Sequence, residues 1–294
     1  MRAPTRISID TAHAPVYHVP SASSTLDVAA HLLADTATPT PHLTTVIADS
    51  QSAGRGRLGR SWVTPPGQAL LASTIVSLPA SLPTEALGWL LHACALAVRD
   101  ALSERLTPLG HAITLKWPND VLVDGQRKIC GMLAQLAPAS SPFTTCVILG
   151  YGINIAQPAG TLPTAHATSL FAQGDTLAGE DPTGVSHQLL AAILAGLDAR
   201  IRALIAHGDA ASSGLHAEAE AALPLIGTRI VLASPTDAHG TPALEGLATG
   251  LAPSGALLLR TDDGCTHQID AGDVLTTGTP LTPVHDTKEK RANN

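Results

Sequence analysis

Two apolar runs set the frame for this chain: Gln68 to Ser77 and Thr144 to Ile155. Both are rich in β-branched residues, and runs of that kind predict buried strands. Shorter strands are expected at Val16–Val19, Thr44–Ala48 and Ile113–Trp117. Val121–Val123 and Lys128–Leu136 flank Asp124-Gly125, a dipeptide that favours a tight hairpin because both residues tolerate positive φ. Helices are expected over Leu26–Asp35, behind the hydroxyls of Ser23-Ser24-Thr25, and over Glu85–Leu106, Ser186–His207 and Ser213–Leu223. From Leu225 to Thr277 the pattern changes to short strand-like runs between Gly, Pro and Asp turns, as in a small β-barrel, so a boundary is placed near Pro224. Residues 1–14 read as a flexible N-terminal arm and 280–294 as a mobile tail. The stretch 156–182, rich in Pro, Gly, Ala and Thr, is long enough to be either functional or disordered.

With 45% hydrophobic but only 2% aromatic residues, the core of these 294 residues has to be aliphatic. A net charge of −7 argues against a nucleic-acid-binding surface. Cys94, Cys130, Cys146 and Cys265 are scattered, which fits a reducing cytoplasm better than disulfides or zinc. No His-x-x-x-His pair encloses a glutamate, and neither a signal-peptide core nor a membrane-spanning run is found. The expectation is a soluble cytoplasmic protein.

Chemistry concentrates in three places. Gln51 to Trp62 alternates glycines with Arg55, Arg57 and Arg60, and no acidic residue occurs between Asp49 and Glu85. Glycine lets backbone approach a ligand closely, and guanidinium forks pair with carboxylate or phosphate. Two readings fit: a clamp for a small anion, or a solvated loop whose charges serve solubility. Next comes Lys116-Trp117-Pro118-Asn119-Asp120, with Lys128 eight residues after Asp120. A hairpin brings Asp120 and Lys128 together, offering a cation to an anion and a carboxylate to magnesium or an amine. A plain cross-strand ion pair is the other reading. Third, the glycines of Gly150-Tyr151-Gly152-Ile153-Asn154 suggest close approach of a ligand or another backbone.

Together, Gly54 to Trp62, Lys116 to Asp120, Lys128-Ile-Cys-Gly131 and Gly150 to Asn154 closely resemble biotin protein ligases, also called biotin–[acetyl-CoA-carboxylase] ligases. The resemblance spans about residues 15–277, in the family's order and spacing. It implies an α+β fold: a class II synthetase-like catalytic domain over 15–223, with a mixed sheet packed by helices. A small C-terminal SH3-like β-barrel over 224–279 would follow. The implied activity is ATP-dependent. Biotin is activated as biotinyl-5′-AMP and passed to one lysine of a biotin carboxyl carrier domain of acetyl-CoA carboxylase or a related carboxylase.

Carried over by motif, Ser24, Thr25 and Gln51 would bind the ureido head of biotin, and Gly54, Arg55 and Arg57 would fold over biotin and the adenylate. Lys128 would lie near the carboxylate and α-phosphate, Gly131 against biotin, and Arg57, Arg60, Asn119, Lys128 and Asn154 on the nucleotide. Arg55, Arg57, Lys128 and Asp120 would carry catalysis, with Asp120 orienting the acceptor amine. Leu26 stands where the family often has asparagine. The segment 156–178 holds no Trp, so no adenine-stacking residue is assigned. No metal ligand is assigned either, Mg²⁺ being expected to arrive with ATP. About sixteen residues precede the first catalytic strand, too few for the DNA-binding domain of bifunctional relatives, so a ligase without repressor role is expected, as monomer or homodimer. A lipoate-type ligase of similar fold and a non-catalytic biotin-binding regulator are the alternatives. Arg57 is expected to be exposed and unpaired, in a loop that is mobile when empty.

Overall fold

The structure, a computed structural model, describes residues 3–9, 14–138, 141–177, 181–233 and 244–277. The expected mobile tail and part of the N-terminal arm lie outside them.

Eight strands form a mixed sheet: β1 (Thr5–Ile7), β2 (Val16–Val19), β3 (Thr45–Ala48), β4 (Ala69–Pro79), β5 (Ile113–Lys116), β6 (Asp120–Val123), β7 (Arg127–Ala137) and β8 (Thr144–Asn154). Their order is β1-β2-β3-β4-β8-β7-β6-β5, with β2 and β3 parallel and the other pairs antiparallel. The two apolar runs are β4 and β8, neighbours at the sheet centre, in register from Ala69↔Asn154 to Pro79↔Thr144. They lack polar alternation because both faces are covered. Leu70, Val76, Leu149 and Ile153 face the main core with α2 (Trp89–Leu106) and α3 (Pro182–His207). Ile75 and Ile148, one residue out of phase, join a smaller core with α1 (Thr25–Ala34).

Element ends follow local chemistry. Asp181 caps α3 by accepting from the Thr183 and Gly184 amides, and Pro182 takes the first helical position, so the helix starts four residues before Ser186. Asp124 (φ 53°) and Gly125 (φ 68°) make the β6–β7 turn as their types predict. One expectation needs correction. Thr5–Ile7 is not part of a loose arm but pairs antiparallel with β2, covering what would otherwise be an open sheet edge.

A second sheet follows α4 (Leu215–Ala221): β9 (Arg229–Ala233), β10 (Leu244–Leu251), β11 (Leu257–Arg260), β12 (Thr266–Ile269) and β13 (Asp273–Thr277), all antiparallel, in the order β12-β11-β10-β9-β13. Among the described residues β12 and β13 are not paired, so the expected barrel is seen as a five-stranded sheet. It is fastened to the larger one through the start of α2. Trp89 Nε1 donates to the Pro253 carbonyl at 2.7 Å, and His92 Nε2 donates to the Gly255 carbonyl at 2.9 Å. Gly88 is required there, since a Cβ would lie 2.1 Å from the Ser254 carbonyl oxygen.

Burial holds His92 below its ordinary pKa of 6.5, and its neighbour His216 pushes the same way. His42 is lowered too, again chiefly by burial. Below pH 6.5 the unfolded chain therefore binds protons that the folded one refuses, and stability falls with pH. We expect urea midpoints to decrease from pH 7 to 5, with the slope reduced in a His92→Gln, His42→Gln double variant. An equal slope in that variant would assign the acid sensitivity elsewhere.

Candidate active site

A cavity of about 570 Å³ opens on the sheet face that carries α1. Helix α1 covers only part of that face. Beyond it the sheet presents Gly131 and Gly152, paired across β7 and β8, in place of side chains. The indole of Trp62 lies in the space they leave. A Cβ on Gly152 would sit 2.5 Å from Trp62 Nε1, and one on Gly131 3.0 Å from the ring. Trp62 Nε1 is buried and has no hydrogen-bond partner among the described residues.

One end of the cavity is a small polar cluster. Gln51 Oε1 accepts from the Thr25 amide at 2.7 Å and from Thr25 Oγ1 at 3.1 Å, and Ser73 Oγ donates to Thr25 Oγ1 at 2.8 Å. Gln51 thereby satisfies an orphan amide of the first turn of α1. Ser24 stands at the N-cap, but its hydroxyl makes no capping bond there, unlike the capping read from sequence.

The other end is cationic. The loop Gly54–Trp62 closes on itself through Trp62 N–H to the Gly54 carbonyl (2.9 Å), Gly56 N–H to the Arg60 carbonyl (2.6 Å) and Arg60 N–H to the Arg57 carbonyl (3.1 Å). Gly54 does not line the cavity. It lets the strands of the loop meet, since a Cβ there would lie 2.3 Å from the Trp62 carbonyl oxygen.

Arg57 is neither exposed nor unpaired, and the carboxylates that meet the three arginines are distant in sequence. Arg55 meets Asp27 at 2.6 Å, and Arg60 pairs with Asp273 on β13. Arg57 is only 15% exposed. Its Nη1 donates to the Gly272 carbonyl (3.2 Å) and Asn119 Oδ1 (3.4 Å), while Nη2 is buried without a partner among the described residues. Burial lowers the Arg57 pKa from its ordinary value, Asp273 and Asp120 push it back up, and Arg60 lowers it further. Arg57→Ala is therefore expected to cost about 1 kcal/mol of stability as well as nucleotide affinity. An unchanged urea midpoint would show that its buried bonds contribute nothing to the fold.

Lys128 Nζ lies 2.6 Å from Asp120 Oδ1 and 5.5 Å from the Trp62 ring centroid, between the two ends. A bulge shifts the register so that Lys128 faces Leu122 and Asp120 faces Gly131, and the long lysine side chain spans the gap. Its backbone is pinned by the loop after β8: Lys128 N–H donates to the His166 carbonyl (2.6 Å) and Thr168 N–H to the Lys128 carbonyl (2.8 Å). Asn154 Nδ2 donates to the Thr168 carbonyl and its Oδ1 accepts from Gln157, so this buried amide holds that loop in place. Nearby Cys130 is fully buried, which raises its pKa well above the ordinary value, and Cys94 is pushed up to about 12. Neither is a nucleophile at neutral pH.

The comparisons with known proteins agree with this geometry. Residues 20–154 match the Biotin/lipoate A/B protein ligase family, and 237–275 match the Biotin protein ligase C terminal domain. The chain is 34% identical to the biotin–[acetyl-CoA-carboxylase] ligase of Mycobacterium tuberculosis over 78% of its own length and 77% of the relative's. It belongs to the biotin protein ligase family. The ligase of the same name from Paracoccus denitrificans is 34% identical over 73% of this chain and 83% of its own. Among solved structures, a biotin protein ligase from Aquifex aeolicus in complex with biotin and ATP superposes with TM-score 0.60 at 25% identity, covering 88% of this chain and 97% of its own.

Of the residues that the biotin ligase motifs nominate, the fold gathers Ser24, Thr25, Gln51, Arg55, Arg57, Arg60, Asn119, Asp120, Lys128, Gly131 and Asn154 around one cavity. Trp62, His166 and Asp273 are among the other residues that line it, and the sequence motifs give none of these three a role. Trp62 closes the arginine motif and was legible as part of it. His166 sits in a stretch without periodicity, and Asp273 lies 213 residues from its partner Arg60, so no local pattern pointed to either. Among the described residues no group of three His, Cys, Asp or Glu side chains comes together, and both carboxylates at the cationic end are engaged by Lys or Arg.

Proposed function

We infer that this chain is an ATP-dependent biotin protein ligase that forms biotinyl-5′-AMP and transfers biotin to a lysine of a carrier domain, the biotin carboxyl carrier domain of acetyl-CoA carboxylase or a related carboxylase. One observation carries the reading. A single cavity of about 570 Å³, in the usual range for small-molecule sites, joins a polar pocket to a cluster of cations across an apolar slot walled by Trp62. Biotin has the same polarity along its length: a ureido head, an apolar middle and a carboxylate tail. A dithiolane head would leave Thr25 and Gln51 facing sulfur, so a lipoate-type reaction is not favoured. A regulator that only binds biotin has no use for Arg57, Arg60 and Lys128 together.

The obstacle in the first step is bringing a carboxylate to a polyanion. At 4 Å two unit charges repel by about 4 kcal/mol at an effective dielectric near 20. Arg57, Arg60 and Lys128 offset that repulsion, and this reading assigns Lys128 to the junction of carboxylate and α-phosphate. These groups act by position and charge. Mg²⁺ would arrive with the triphosphate and neutralise part of its charge. In the second step a carrier lysine amine attacks the mixed anhydride and AMP leaves. Asp120, 2.6 Å from Lys128 Nζ, is the group this reading assigns to orient that amine.

Residues 15–223 supply most of the cavity lining, and Asp273 and Val274 add to it from the segment after 224. Supply of ATP and carboxylases places the reaction in the cytoplasm. No helix among the described residues is long and apolar enough to cross a membrane. Incubating the full chain with biotin, MgATP and a purified carrier domain is expected to yield biotinylated carrier and AMP. Folded protein that releases no biotin-dependent pyrophosphate would overturn the reading.

A further inference from the structure

The cationic end of the cavity contains a carboxylate that no part of the larger sheet supplies. Asp273 is the first residue of β13, on the second sheet, yet it lines the cavity. One oxygen pairs with Arg60 Nη2 and the other lies 3.8 Å from Arg57 Nη1. The carbonyl of the preceding residue, Gly272, accepts from the same Arg57 Nη1 at 3.2 Å. A polyanion site gains nothing from a bare negative charge, so the contact needs a reason.

The reason lies in the loop. Arg57 and Arg60 are three residues apart on a turn containing Gly56 and Gly59, and their like charges repel each other. Left alone, the two guanidinium groups would lower their energy by moving apart into water. Asp273 lies between them and opposes that. Arg60 lowers the Arg57 pKa and Asp273 raises it, as expected if the carboxylate balances the neighbouring cation. Bound in this way, Arg57 keeps Nη2 buried, without a partner among the described residues and available to an incoming phosphate oxygen.

The second sheet is well placed to act as the anchor. It is fixed to α2 by the bonds from Trp89 and His92 and by the close contact at Gly88. A bulge interrupts the β13–β9 register between Val274 and Thr276, immediately after Asp273. Bulges re-aim side chains at strand ends.

We propose that Asp273 is a positioning residue for the nucleotide. It reaches from the C-terminal sheet to hold Arg57 and Arg60 in the orientation that grips the triphosphate. The proposal rests on the ligase reading for the identity of that ligand. It gives Asp273 a part in ATP binding and none in biotin binding, because among the described residues its side chain meets only Arg57 and Arg60.

The test is direct binding, which does not depend on turnover. Isothermal titration of the full chain with MgATP is expected to show affinity about tenfold weaker in Asp273→Ala, with Asp273→Glu recovering most of the loss. Biotin affinity should stay within twofold, and the ligand-free melting temperature within about 2 °C. Arg60→Ala should weaken ATP binding as well, and the Arg60→Ala, Asp273→Ala double variant should be much less impaired than the product of the two single effects, since both remove one interaction. Unchanged or tighter ATP binding in Asp273→Ala overturns the proposal, the tighter result marking Asp273 as a competitor of phosphate. Parallel loss of ATP affinity, biotin affinity and melting temperature in both Asp273→Ala and Asp273→Asn overturns it too, in favour of a structural role. A wild-type chain that binds MgATP yet makes no adenylate refutes the ligase reading while leaving these comparisons intact.

Discussion

Lys128→Met is expected to reduce biotin-dependent pyrophosphate release by about a hundredfold or more, the scale typical of removing one group aimed at developing charge. The fold should survive the change. The Lys128 backbone is held from both sides by the loop after β8, through bonds to His166 and Thr168 that do not involve the side chain. About a third of the side chain is exposed, so its removal leaves no deep void. What is lost is a cation 5.5 Å from the Trp62 ring, beside the apolar slot. Lys128→Arg should recover little. A Cβ on Gly131 would already lie 3.0 Å from Lys128 Cε and Nζ, which shows how closely the lysine tip packs on that strand, and a planar fork needs more room. Pyrophosphate release within fivefold of wild type in Lys128→Met would remove Lys128 from the first step. Supplying purified biotinyl-AMP to the variant then separates the steps: transfer to the carrier should proceed far better than adenylation, because the acid tail has already been joined to phosphorus.

That prediction depends on placement that the sequence carried only in part. The sheet centre was readable because β4 and β8 are apolar on both faces, a pattern that survives any detail of the fold. The β6–β7 hairpin was readable for a local reason as well, since Asp124 and Gly125 are types that accept positive φ. Asp120 and Lys128 were brought together by that same turn, although a bulge changes which residues face each other. By contrast, the partners of the arginines were invisible. Asp27 is 28 residues from Arg55, and Asp273 is 213 from Arg60, and both pairs exist only because the chain has folded. Counting acids near Arg57 in sequence gave the wrong exposure for it. Thr5–Ile7 was missed for a related reason: a three-residue edge strand has too little periodicity to announce itself, and β2 creates its place.

The glycines on β8 were legible as points of close approach, but what approaches them was not. Leu26 packs on Gly150 and Trp62 on Gly152, and the second contact sets the other large effect. Gly152→Ala would place a methyl 2.5 Å from Trp62 Nε1 and 2.6 Å from Cε2. The strand has no freedom to retreat, because Gly152 is paired with Leu71 on one side and Gly131 on the other. The indole must therefore move, and the wall of the apolar slot moves with it. Overpacking of this kind costs about 1–3 kcal/mol. Expressed wholly in biotin binding, that is roughly a fivefold to 150-fold rise in Kd. Gly184→Ala provides the control, because a Cβ there meets nothing within 4 Å and the residue lies in a helix. It should leave biotin affinity unchanged. The decisive comparison adds Gly152→Ala to Trp62→Ala. With the indole gone, the added methyl has nothing to collide with, so the second change should cost biotin affinity less than twofold beyond the first. A full additional penalty in the double variant would mean that the glycine makes room for the ligand itself and not for the ring.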